Sequence, residues 1–114
     1  MGLRTWVEEL AALHLLQVQA QALIDMAKRF AAELGYTPST TREAIQALRR
    51  EGVINDAEAR LLKSIAGFRN IVVHEYATVD MRLVRRLVEE REYSKPVVLA
   101  AKLLEEAHKR GIDP

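Results

Sequence analysis

The chain contains no cysteine, which removes disulfides, thiolate metal sites and cysteine nucleophiles together. Proline, at 3, and glycine, at 5, are scarce among 114 residues, so nothing reads as linker, tail or low-complexity segment. Net charge is nearly absent as well. With 17 Lys and Arg against 16 Asp and Glu, the balance of +1 neither demands nor excludes a polyanion partner, and any nucleic-acid contact must be a local patch. No apolar run approaches the roughly 20 residues that cross a bilayer. The opening stretch, with Glu8, Glu9 and glutamines where an apolar segment would run, does not read as a signal peptide. These absences predict a soluble, cytoplasmic protein with no membrane contact.

What is present is a helical pattern. With apolar residues at 49% and charged ones at 29%, residues 1–114 read as one folded domain, small enough that pairing with a second copy would improve its surface-to-volume balance. Thr5 with Glu8, Thr40 with Glu43 and Asn55 with Glu58 each place a capping oxygen three residues ahead of a glutamate that can reach back to the cap. Gly35, Gly52 and Gly111 stand where helices stop.

The first helix is expected from about Thr5 to Leu34, packing through Trp6, Leu10, Leu13, Ala20, Ile24, Ala27, Ala31 and Leu34, with Leu16, Leu23, Met26 and Phe30 widening that face. A short helix from about Thr41 to Glu51 buries Ala44, Ile45 and Leu48. A third, from about Asp56, buries Ala59, Leu62, Ile65, Ala66, Phe68, Val72 and Val73. The last segment starts near Asp80 with Leu83, Val84, Leu87 and Val88 inside. Pro96 predicts a break near Tyr93 to Lys95. Ser94 then caps a final helix whose buried stripe is Val97, Val98, Ala101, Leu104 and Ala107. The expected fold is an all-α, antiparallel up-and-down bundle of four to five helices.

The most informative stretch is Arg69-Asn70-Ile71-Val72-Val73-His74-Glu75-Tyr76. It sets an arginine, a histidine and a tyrosine in an apolar helical run that needs none of them for packing, and such groups must reach water or partners. On a helix Asn70 and His74 project within about 40° of each other, so the amide can bond the imidazole or share its ligand. Arg69 and Tyr76 also line up, whereas Arg69 and His74 differ by roughly 140°. They could converge if the arginine stem wraps, if the helix loosens after Val73, or if a second copy contributes its own pair across a two-fold axis. Gly67, inside this helix, either marks close approach of another backbone or a ligand, or is tolerated without a role; both readings stand.

The segment GFRNIVVHEY followed by ATVD, with the approach LLKSIAGFRN and the earlier QAQALIDMAKRFAAELG, resembles the RxxxxHxY signature of the HepT-like branch of the HEPN superfamily. The likeness covers roughly Leu13 to Leu87. It implies a HEPN-like, homodimeric helical protein that cleaves RNA without a metal or other cofactor. It also implies the toxin role in a toxin-antitoxin pair, with a cognate minimal nucleotidyltransferase as antitoxin.

The residue types suit that chemistry. RNA cleavage needs a group to take the 2′-hydroxyl proton, a group to protonate the leaving oxygen, and a fixed cation for the phosphoryl charge. His74 fits either proton role, Arg69 fits the phosphate, and Asn70 would orient His74 or hold a phosphate oxygen. The resemblance makes Tyr76 the site where the nucleotidyltransferase attaches adenylate, an off switch beside Arg69; read alone, Tyr76 simply closes the helix end. No carboxylate cluster or His-x-x-x-His spacing offers a metal a site.

The remaining features are plainer. Arg82, Arg85 and Arg86 form a basic stripe, reinforced by Arg49 and Arg50 if the fold allows. It is either a solvated face with Arg85–Glu89 and Arg86–Glu90 helix pairs, or an RNA-backbone contact. His14 reads as a satisfied, partly buried histidine and His108 as a partner of the helix dipole. Asp25 either pairs with Arg69 or His74 or faces solvent. Two rival readings remain: a non-catalytic helical subunit that binds nucleotide or the nucleotidyltransferase, and a purely structural dimer.

Overall fold

The computed structural model describes residues 5–74 and 81–112. Five helices follow one another: α1 (Trp6–Glu33), α2 (Thr41–Arg50), α3 (Asp56–His74), α4 (Met81–Glu89) and α5 (Ser94–Lys109), with no strand among the described residues. The expectations placed on Leu83, Val72 and Val73 concern side chains outside the described ones.

Local chemistry sets the boundaries. Thr5 Oγ1 accepts from the Glu8 amide and Thr40 Oγ1 from the Glu43 amide, each at 3.1 Å. Asn55 and Glu58 form a full capping box, each side chain accepting from the other's amide at 2.8 Å. At the other ends Gly35 (φ 96°), Gly52 (φ 73°) and Gly111 (φ 72°) take the left-handed conformation. The next residue in each case, Tyr36, Val53 or Ile112, donates its amide back to Ala31, Leu48 or Ala107. Those three side chains then pack in or against the main core, so each stop also closes the interior.

At 28 residues, α1 is about 42 Å long and runs the 45 Å length of the molecule. It is the central helix, in contact with all four others. Along it, α3 runs back, so that Phe68 near its end joins Leu13 near the start of α1. The last two helices follow α1 in its own direction: Val84 meets Leu13, the Tyr93 carbonyl accepts from Gln19 Nε2 at 2.9 Å, and Leu103, Leu104 and Ala107 flank Met26 and Phe30. Leu23, Ala27, Leu48, Val53, Leu62 and Leu103 anchor the main core. Leu13 and Val84 form a smaller one, with Leu16 and Phe68 against it.

Three expectations about packing are corrected. Trp6 and Leu10, assigned to the packed face of α1, are 72% and 39% exposed. They lie beyond the Leu13–Val84 cluster, past the point where that cluster covers α1.

The break before α5 is set not by Pro96 but by Arg91, whose φ of 56° lets the Glu92 amide return to the Leu87 carbonyl at 2.9 Å. Pro96 falls in the first turn of α5, where its missing N–H has no helical acceptor to lose. Ser94 is the first residue of α5 rather than its cap, and its hydroxyl donates to the Arg91 carbonyl at 2.8 Å.

The buried stripe of α5 is Leu99, Leu103 and Ala107, while Val97, Val98, Ala101 and Leu104 are exposed. The Lys102–Glu58 pair and the Gln19–Tyr93 bond fix that rotation. The helix carries two apolar stripes, and the bundle covers one.

Candidate active site

The site is built on α3, which is anchored at both ends of its partners. Its first turn holds the capping box, and Glu58 also binds Lys102 of α5. Burial pushes the Glu58 carboxyl up, but the bonds from Lys102 and the Asn55 amide, with the Lys102 charge, outweigh this and leave it below its ordinary value. Asp56 is likewise held low by its bond to Arg49 and the charge of that guanidinium. Near the other end, Phe68 inserts beside Leu13 and Val84, so the helix is seated before the motif begins.

Arg69 follows directly. It lies seven residues after Leu62, which is fully buried, and hence only about 20° away around the axis. Its stem therefore leaves the helix toward the bundle, and the residue is half-buried. Among the described residues it forms no ion pair or hydrogen bond. A permanent cation is held partly out of water with no carboxylate among the described residues to neutralise it, a position suited to receiving an anion.

Around the helix from Arg69, Gly67, Asn70 and Ile71 form an open strip. All three are exposed, Ile71 at 49%, and nothing lies within 4 Å of where a Gly67 side chain would begin. Among the described residues no other backbone approaches Gly67. The strip leads to His74, the last residue of α3. The helix is therefore continuous from Arg69 as far as His74. The His74 side chain and all of Tyr76 lie outside the described residues.

The basic stripe divides. Arg82 and Arg86 are exposed, but Arg85 crosses to Glu9 of α1 instead of pairing with Glu89 along its own helix, and so ties α4 to α1. Nothing in the sequence pairs residues 76 positions apart; only the fold brings them together. Arg49 binds Asp56 at the start of α3, about 27 Å along the axis from His74, so it does not extend the stripe.

The three remaining candidates settle simply. His14 is exposed, contrary to the partly buried position expected, because it sits one step round the helix from buried Leu13. Asp25 is exposed and accepts from Gln21 Nε2 at 2.8 Å, which leaves it on the solvent side and away from Arg69. His108 is exposed in the last turn of α5, where a positive charge meets unpaired carbonyls.

A groove of about 260 Å³ lies between α1, α3 and the elbow of α4 and α5, with Phe68, Leu61 and Leu87 in its wall. It is apolar and does not include Arg69. Among the described residues no three histidine or carboxylate side chains gather in one place, and no helix is long and apolar enough to cross a membrane.

Comparison with known proteins agrees with the motif. A curated protein of Archaeoglobus fulgidus named "Putative RNase" is 28% identical over 103 residues, covering 90% of this chain and 76% of that protein. No solved structure gives a significant match. The family description "Ribonuclease HepT-like" matches residues 3–98, which takes in α1 to α4, the motif and the start of α5. With helices throughout its described residues and a match over most of its length, the chain belongs to the HepT-like ribonuclease family of the HEPN superfamily.

Proposed function

We propose that the protein is a metal-independent endoribonuclease that works as a homodimer and serves as the toxin of a toxin-antitoxin pair. The observation that carries this is the half-buried Arg69, without a partner among the described residues, five residues before a histidine that ends the same helix. In the reaction the ribose 2′-oxygen attacks phosphorus and the 5′-oxygen leaves, giving a cyclic phosphate. One proton comes off the 2′-hydroxyl and one goes to the leaving oxygen. His74 is the group for one of these transfers, and Arg69 holds the non-bridging oxygens as their charge rises. Neither role requires a bound cation.

Because Arg69 and His74 diverge by roughly 140° on a continuous helix, the cleft is completed by a second copy, with Gly67, Asn70 and Ile71 at the contact. Asn70 orients His74 or holds phosphate. Arg82 and Arg86 guide the RNA backbone from the rim, while Arg85, committed to Glu9, sets the position of α4. Tyr76 is the residue a cognate nucleotidyltransferase would adenylylate, placing phosphate next to Arg69 and closing the site.

The test is cleavage of cellular RNA by purified protein in excess chelator. Wild type cuts, whereas Arg69→Ala and His74→Ala lose at least 100-fold in rate while keeping their circular dichroism spectra. Equal cleavage by all three, or none by wild type, would contradict the proposal.

A further inference from the structure

One row on the outer side of α3 carries charge that the motif does not account for. Arg60, Lys63, Gly67, Asn70 and His74 follow one another at steps of three and four residues, so their positions fall within about 80° of arc on the helix. The row lies nearly opposite Leu62 and Ile65, which face the core, and Arg60, Lys63, Gly67 and Asn70 are all exposed. It starts on two cations and ends at the position of the proposed catalytic histidine.

No carboxylate of α3 is left to neutralise those cations. The acids of the helix, Asp56 and Glu58, stand in its first turn, where Asp56 is bonded to Arg49 and Glu58 to Lys102. From Ala59 to His74 the helix carries Arg60, Lys63 and Arg69 and no acid. Among the described residues neither the Arg60 nor the Lys63 side chain forms an ion pair or a hydrogen bond, whereas Arg29, Lys95 and Lys109 each pair with a carboxylate three or four residues away. In a chain whose net charge is only +1, this is a local positive strip, the form that complements a polyanion.

Resting on the reading that this chain cuts RNA, we infer that the row is the track along which the RNA strand leaves the cleft, with Arg60 and Lys63 each holding a backbone phosphate. Length selects a strand over a compact anion. Lys63 and Arg60 lie about 16 Å and about 21 Å along the axis from His74, and a stacked strand advancing ~3.4 Å per nucleotide meets them about five and about six nucleotides from the scissile bond. Both contacts are to phosphate, so the track adds affinity without sequence preference. Arg69, on the bundle side of α3, takes no part in it.

The test is binding of a single-stranded 2′-O-methyl RNA of about 16 nucleotides, which keeps the phosphates but offers no 2′-hydroxyl to react. Fluorescence anisotropy with the full chain gives the affinity from about 0.1 M to about 0.5 M salt. Arg60→Gln with Lys63→Gln should flatten the slope of log affinity against log salt by about 1.4, at ~0.7 per phosphate contact; counted from about 1 M, that is an affinity about 25-fold weaker at ~0.1 M. Both residues are exposed and glutamine keeps their helix propensity, so circular dichroism stays native. Arg29→Gln with Lys109→Gln, the same change of charge on α1 and α5, should leave the slope in place. An unchanged slope in the α3 double variant overturns the inference and leaves the row to an acidic protein surface. An equal loss in the α1 and α5 control overturns it too, as does a wild type that does not bind. Wild type that binds with the expected slopes but does not cut natural RNA contradicts the cleavage proposal and leaves the track standing; cutting without a change of slope does the reverse.

Discussion

Removing the Glu58 carboxylate tests how α3 is held in place. Glu58 caps α3 by accepting from the Asn55 amide at 2.8 Å while its own amide donates to Asn55 Oδ1 at 2.8 Å, and the same carboxylate binds Lys102 of α5. Glu58→Gln keeps a capping acceptor but not the charge. The pair is partly shielded, its side chains 34% and 22% exposed, so the loss falls near the top of the range for surface ion pairs, about 1 kcal/mol. Glu58→Ala loses the cap as well, adding about 1 kcal/mol.

For a chain of this length each kcal/mol moves the midpoint by about 4 °C. Thermal unfolding should therefore fall by about 4 °C for Gln and about 8 °C for Ala. A cycle with Lys102→Met should return a coupling of about 1 kcal/mol between Glu58 and Lys102. Equal losses for Gln and Ala, or zero coupling, would refute the assignment of two separate roles to one carboxylate.

Further outcomes follow from single features. Gly67→Ala should stabilise the fold by about 1 kcal/mol, since it is helical and nothing stands within 4 Å; a simultaneous fall in RNA cleavage would mean that a second copy or the substrate packs there. Arg91→Gly should raise stability by about 1 kcal/mol in urea titration, by relieving the left-handed strain at φ 56°. Acid should weaken the fold through Glu58. Its folded pKa lies below the ordinary 4.5, so its contribution is complete above pH 4.5 and disappears as pH falls through the folded value. Glu58→Gln should remove that part of the acid slope.

The helix ends were legible in the sequence because caps and stops are local chemistry. Thr5, Thr40 and Asn55 cap as their spacing requires, and the glycines at 35, 52 and 111 turn the chain as expected. What sequence could not supply was the choice between alternatives of similar local energy. Two apolar stripes on α5 are equally good on a helical wheel, and the Lys102–Glu58 and Gln19–Tyr93 contacts choose between them. Arg91 in a left-handed turn is locally unfavourable, so Pro96 looked like the better break; the Glu92 amide bond to Leu87 reverses that order. In the site, the motif named Arg69 but not its half-burial, which follows from sharing a helical row with Leu62. The partner of Arg85 was hidden for the same reason, since Glu9 lies on another helix.

The composite cleft is tested most directly by mixing two inactive proteins. Arg69→Ala and His74→Ala chains, unfolded and refolded together, form mixed dimers in which one cleft receives Arg69 from one chain and His74 from the other. Half of the dimers are mixed and each holds one intact cleft of two, so cleavage should return to about a quarter of the wild-type rate. A mixture as inactive as its components would contradict the shared cleft.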